Sequence, residues 1–251
     1  MKVRSHGGTD RGVVRPTNED AFLLAEDIGL FVVCDGVGGR VGGAVASSRS
    51  VQAIDTAVRS GLGLLSLDDS SGEPDEERLM LLRGLLREGF QRANDELYTL
   101  GAEQPALRGL CTTASALLVD GAHALIAHVG DSRIYRLRGN RIQQLTQDHT
   151  FGAWAAKGGG VSSASAARLS GLTEALGLRA TVRIDLERIE LATGDRFLLC
   201  TDGLHAHRGD DPALLDLLGG PAEQVIPRTI ELARARGCDD NVTAAVVICE
   251  D

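Results

Sequence analysis

Four short apolar runs set almost end to end constrain this chain more than any other feature. They are residues 112–119, 122–129, 132–137 and 142–145, and each has the length of a strand. The links between them contain Asp120-Gly121, Gly130-Asp131 and Gly139-Asn140, all turn dipeptides. Connections this short join antiparallel neighbours, because parallel strands need a long crossover. The spacing therefore predicts an antiparallel sheet in which the four runs follow one another.

Around this block the period changes. Residues 44–65 place Val45, Val51, Ile54 and Val58 at helical spacing. Pro74-Asp75-Glu76-Glu77 opens a second helix with acidic residues, suited to the helix dipole. That helix runs to about residue 100, with Leu79, Leu82, Leu86, Phe90 and Leu97 on one face. Strands are expected at 21–24 and 28–34, then at 182–191, 196–200 and 242–249, with helices near 212–218 and 222–236. Residues 67–76 read as a loop. Residues 150–170 fill with Gly, Ser and Ala and predict a mobile flap docked through Trp154. Strands and helices come in separate blocks, so the expected class is α+β, antiparallel sheets covered by helices, in one domain over residues 1–251.

Charge and cysteines exclude several functions. The net charge is −9 with a pI near 5.2, which argues against nonspecific binding to nucleic acid or an anionic membrane. Five cysteines without close paired spacing resemble neither a disulfide framework nor a zinc site. Cys34, Cys111 and Cys200 sit in or beside strand-like runs and read as buried apolar side chains. The first residues hold no apolar signal segment and no run reaches membrane-spanning length, so a reduced cytoplasm is the expected compartment.

The chemistry concentrates at strand ends. Asp35-Gly36, Gly130-Asp131 and Thr201-Asp202-Gly203 each follow a predicted strand, and Asp239-Asp240 precedes the last one. Any one of these is an ordinary turn signal. Together they imply a ring of carboxylates with few bases, which hard divalent cations stabilise; oxygen-only ligands favour Mg²⁺ or Mn²⁺ over zinc. Glycines beside Asp35 allow something to approach the main chain closely. Arg15-Pro16-Thr17-Asn18-Glu19-Asp20 forms a second constellation, with a guanidinium fork suited to phosphate oxygens. A charged, Asn-capped surface turn is its plainer reading.

In order and spacing, these residues resemble the metal-dependent protein phosphatases of the 2C type, in their compact bacterial form. The matching pieces are Arg15-x-x-Asn18-Glu19-Asp20, Asp35-Gly36-x-Gly38-Gly39 and Thr112-Thr113, followed by Val129-Gly130-Asp131-Ser132-Arg133. Leu145-Thr146-x-Asp148-His149, Thr201-Asp202-Gly203-Leu204 and Asp239-Asp240-Asn241-Val242-Thr243 complete the set. The resemblance implies a four-layer α-β-β-α sandwich with a two-metal centre, Mn²⁺ or Mg²⁺, at one end. Asp35 would bridge both metals, the Gly36 carbonyl would ligate one, and Asp202 and Asp240 would hold the other. Asp131 would join Asp202 at a weaker third position. Glu19 and Asp20 would orient metal waters, with Asn241 in the same outer layer, and Arg15 would bind the phosphoryl oxygens. A water activated between two metals can attack phosphorus in line without a protein nucleophile.

The expected activity is hydrolysis of phosphoserine and phosphothreonine on proteins by a monomer, opposing a bacterial Ser/Thr kinase. A catalytically silent binding module and a sporulation-type phosphatase acting on a small anti-sigma-antagonist protein are the rival readings. The chain departs from the family pattern at several places. Val37 stands where many eukaryotic relatives carry a His, Cys111 where a Gly is common, and Glu174 where a basic residue is usual. His205-Ala206-His207 occupies a region that is often acidic, and both histidines are expected at the surface near the site.

Overall fold

The computed structural model describes residues 1–37, 42–65, 76–157, 171–205 and 212–251. In chain order the strands begin with β1 (Lys2–Asp10), β2 (Asp20–Ala25), β3 (Leu30–Val37), β4 (Cys111–Thr112) and β5 (Ala114–Asp120). They continue with β6 (His123–Val129), β7 (Arg133–Arg138), β8 (Arg141–Gln144), β9 (Asp185–Glu190), β10 (Arg196–Cys200) and β11 (Val242–Glu250). The helices are α1 (Gly42–Leu65), α2 (Glu76–Glu103), α3 (Phe151–Ala156), α4 (Asp202–His205), α5 (Pro212–Gly219) and α6 (Ala222–Ala235).

Two antiparallel sheets result. One has the order β1-β11-β10-β7-β8; the other has β2-β3-β5-β6-β9, with β4 pairing the end of β3. Strand alternation sends β3 to both sides of its sheet. Leu30, Val32 and Cys34 pack under α1 and α2 with Ile54, Leu82, Leu86 and Phe90. Phe31 and Val33, with Leu117 and Ile126 of the same sheet, face the other sheet, where they meet Ile134, Phe197, Leu199 and Val247. On the far side, Leu198, Val246 and Ile248 pack against Val225 and Ile226 of α6 and Leu214, Leu217 and Leu218 of α5. A period of two along each strand thus produces three apolar layers between four layers of backbone. This is the expected α+β sandwich.

Several local expectations change. The runs read as 122–129 and 132–137 are β6 and β7, but they do not pair: β6 lies in one sheet and β7 in the other. Gly130, at φ +106°, carries the chain across between sheets, and a Cβ there would come within 2.6 Å of the Thr113 side chain. The turn dipeptide was real; the hairpin was not. Residues 112–119 split at Thr113, whose N–H donates to the Asp35 carbonyl at 2.9 Å. The strand expected over 28–34 starts at Leu30, after a short 3₁₀ turn closed by Gly29 in the left-handed region at φ +67°. The run at 182–191 shortens to β9.

β1, absent from the sequence reading, pairs with all nine residues of β11, from Lys2↔Glu250 to Asp10↔Val242. The flap expectation divides. Thr150 caps α3 by accepting from the Ala153 N–H at 3.2 Å, and Trp154 is 56% exposed, so it does not dock the segment. Residues 158–170 lie outside the described residues, as do residues 66–75, Gly38, Gly39, Ala206 and His207; of the loop expected at 67–76, only Glu76 is described, and it opens α2. All five cysteines are free and buried, as an apolar role requires.

Candidate metal centre

The strand ends meet in a cleft of about 590 Å³ lined by Arg15, Glu19, Asp35, Gly36, Asp131, Asp202, Asp240 and Asn241. β2 and β3 bring Asp20 opposite Asp35 in register. Asp35 is fixed by its backbone: its N–H donates to Thr113 Oγ1 at 3.0 Å, and its carbonyl accepts from Thr112 Oγ1 at 2.7 Å. Gly36 donates its N–H to the Glu19 carbonyl at 3.2 Å. A Cβ on Gly36 would sit 2.1 Å from the Gly43 carbonyl oxygen and 2.5 Å from that of Glu19. The glycine is therefore required by the contact between β3, the Arg15 loop and the start of α1.

Asp202 opens α4 directly after β10, and Asp240 immediately precedes β11 by way of Asn241. Asn241 staples the N-terminal loop. Its Nδ2 donates to the Arg11 and Thr17 carbonyls at 2.8 and 3.0 Å, and its Oδ1 accepts from the Glu19 N–H at 2.8 Å. A chain of hydroxyls that the sequence reading missed supports the same corner. Thr201 Oγ1 donates to Asp20 Oδ2 at 2.9 Å and accepts from the Thr243 N–H at 3.0 Å, while Thr243 meets Thr9 at 2.6 Å. Thr201 and Thr243 directly flank motif aspartates; only tertiary pairing reveals what they hold.

Asp131 sits at the crossover between sheets, between two imidazoles. His149 accepts the Gly130 N–H on Nδ1 at 3.2 Å and donates its own backbone N–H to the Gly130 carbonyl at 2.7 Å. Its Nε2 meets Asp185 Oδ2 at 3.0 Å, which assigns the proton to Nε2. On the other side His205 Nε2 donates to the Asp131 carbonyl at 2.9 Å. His205 is buried, not at the surface as its sequence context suggests, because α4 turns inward over the cleft. Arg133 is engaged elsewhere, in a bidentate pair with Asp148 at 2.9 and 2.6 Å.

Electrostatics follow from this crowding. Burial, reinforced by Asp202 and Asp240 nearby, pushes the Asp20 carboxyl up to about 7. Burial and the neighbouring Asp20 and Asp202 hold Asp35 well above the usual carboxylate range. Asp131 rises to about 7, again from burial first and Asp202 second; Asp202 is raised by burial although a hydrogen bond with Asp35 opposes it. The one cation lining the cleft among the described residues, Arg15, pairs with Asp240 Oδ2 at 2.6 Å.

No three His, Cys, Asp or Glu side chains among the described residues form a ready metal cage. The carboxyl groups lean on each other and on Arg15 instead. Yet Asp20 Oδ1 and Asp202 Oδ1 are buried with no hydrogen-bond partner. Buried oxygens left unpaired in a cluster short of positive charge fit hard, oxygen-seeking cations. The sequence-predicted residues are thus brought into one cleft, with Asp20 just behind its lining.

A two-sheet sandwich flanked by helices, with a carboxylate cluster and an arginine at one end, defines the architecture of a metal-dependent phosphatase. The chain belongs to the protein phosphatase 2C family, which it matches over residues 8–238. It is 34% identical over 250 residues to the serine/threonine protein phosphatase PstP of Mycobacterium tuberculosis, covering 98% of this chain and 45% of that protein. The chain thus spans less than half the length of that relative. It is 29% identical to the serine/threonine phosphatase stp of Listeria welshimeri, covering 95% of this chain and 93% of that one. Among solved structures, the catalytic domain of PstP in complex with two manganese ions superimposes with a TM-score of 0.76 at 33% identity, covering 99% of each chain.

Proposed function

We propose that the chain is a metal-dependent protein phosphatase that hydrolyses phosphoserine and phosphothreonine esters on proteins. The observation that carries this reading is the buried carboxylate set at and just behind the Arg15 cleft, in which Asp202 Oδ1 and Asp20 Oδ1 are left unpaired. Asp35, the Gly36 carbonyl, Asp202 and Asp240 would hold two Mn²⁺ or Mg²⁺ ions, and Asp131 with Asp202 a weaker third. When bound, such ions supply an activated water and offset charge on the phosphoryl group. Arg15, which lines the cleft beside Asp240, would grip phosphoryl oxygens through its planar fork. Asn241 holds the Arg15 loop in place, while Glu19 and Asp20, the latter fixed by Thr201, orient solvent toward the phosphoryl group. Val37 offers no proton to the leaving serine or threonine oxygen.

Phosphorylated proteins, among them a Ser/Thr kinase and its substrates, are the proposed partners of a cytoplasmic monomer formed by one domain. No described helix is long and apolar enough to cross a membrane. A silent binding module would have no use for buried carboxylates whose desolvation nothing offsets. Phosphate release from a phosphothreonine peptide, measured with Mn²⁺ and then with EDTA, separates the two. Turnover that EDTA abolishes and that Asp35→Asn lacks is expected; no turnover with Mn²⁺ would sink the enzyme reading.

A further inference from the structure

The cleft divides by chemistry along with chain segment. Its charged lining comes from residues 15–19, 35, 131, 202 and 240; the other wall is Val37, Cys111, Leu172, Ala175 and Leu178. That wall is one piece of backbone ladder. Val37 pairs in register with Cys111, and the next residue, Thr112, exchanges hydrogen bonds of 3.0 and 2.9 Å with Leu176. The turn that follows is locked. Gly177, at φ +86°, donates its N–H to Asn94 Oδ1 at 3.0 Å, and a Cβ there would meet Leu97 and the Leu110 carbonyl. Leu178 is thereby held at the mouth of the cleft.

The wall is preformed, apolar and open. Val37 is 45% exposed and Leu178 41%. Burial pushes the Cys111 thiol up to about 11, so it is a neutral surface at working pH. Glu174, the acidic residue on this segment, is absent from the cleft lining and reaches Arg179 at 3.8 Å and the Arg183 N–H at 3.5 Å. Fixed aliphatic side chains exposed beside the acidic part of the cleft mark a contact surface.

We propose that this wall is the subsite for an apolar side chain next to the phosphorylated residue of the substrate. The inference rests on the phosphatase reading above. A chain that presents a phosphate to Arg15 must cross the cleft, and the cleft is continuous with the wall, so a flanking residue is laid on Val37 and Leu178. A charged flank would lose hydration there without gaining a partner, since no charged side chain among the described residues lines that wall. The carboxylates below face the cation site and Arg15, and do not offer themselves to a basic flank.

The test compares phosphothreonine peptides identical except for Leu, Lys or Glu at the flanking positions, with p-nitrophenyl phosphate as reference. The Leu peptide is expected to exceed the Glu and Lys peptides in kcat/KM by about tenfold, the discrimination one apolar pocket provides. Leu178→Lys should shift the preference toward Glu. Equal rates for all peptides, or a preference for Lys, overturn the subsite while leaving the phosphatase intact. An unchanged preference in Leu178→Lys removes Leu178 and its wall. Failure to hydrolyse even the aryl phosphate would instead sink the phosphatase reading itself, and this inference with it.

Discussion

Replacing His205 by Ala tests how the Asp131 crossover is held. In the folded protein the His205 Nε2–H is a side-chain donor to the Asp131 carbonyl, 2.9 Å away. Removing a donor from a buried acceptor costs about 1–3 kcal/mol. If that cost falls wholly on the position of Asp131, Mn²⁺ affinity at the site proposed for Asp131 and Asp202 drops by about 5–150-fold. The ions proposed for Asp35 and Asp240 should bind nearly as before, because the hydrogen bonds that fix those two residues, to Thr112, Thr113 and Asn241, do not pass through His205. Titration calorimetry of Mn²⁺ into metal-free protein resolves the two classes without relying on turnover. His205→Gln keeps an N–H donor and should recover part of the lost affinity. Wild-type affinity for every equivalent in His205→Ala would refute the reasoning. Equal losses in Ala and Gln would show that imidazole packing matters and the donated hydrogen bond does not.

Gly36→Ala should lower both activity and melting temperature, since the new Cβ lands on backbone oxygens of Gly43 and Glu19; a variant with normal thermal unfolding would remove the close-approach argument. Arg15→Ala should raise KM for phosphopeptide with kcat less affected, because the role proposed for the guanidinium is to bind oxygens already present in the ground state; unaltered kinetics would return Arg15 to the role of a surface charge. His128 is buried, and burial followed by the adjacent His149 lowers its pKa from 6.5 to about 4. Between those values the unfolded chain binds the extra proton, so stability falls as pH drops from 7 to 5, by about 2 kcal/mol. Urea unfolding of metal-free wild type and His128→Gln should show that difference in pH slope; parallel slopes would contradict it.

The acidic strand ends were legible in the sequence because each is local: a strand, a turn residue and a carboxylate lie within a few positions. β1 was not. Its run Lys2–Asp10 is an edge strand without apolar alternation. Gly7 and Gly8 sit where a Cβ would strike Phe22 and Ile226, 2.7 Å away in each case. The features that make it fit are absences of side chain, which no hydrophobic period records. The Gly130-Asp131 link shows a different limit. A turn dipeptide states that the chain reverses locally, but not whether the next strand returns to the same sheet. His205 shows a third: its burial depends on α4 folding inward over Asp131, a tertiary fact invisible to the residues beside it.

The ladder between β1 and β11 has a consequence for the order in which the protein becomes competent. It runs from Lys2↔Glu250 to Asp10↔Val242, and the chain leaves its inner end on one side toward Arg15 and arrives on the other from Asp240. During synthesis β1 emerges well before β11 and must wait, its edge unpaired, until residues 242–250 have left the ribosome. Only then can Asn241 close on the Arg11 and Thr17 carbonyls and bring Arg15 to the carboxylates. A nascent chain halted before residue 240 would carry Asp35, Asp131 and Asp202 yet have no way to seat Arg15. The two halves of the site therefore stay apart until the strand that follows Asp240 has been made.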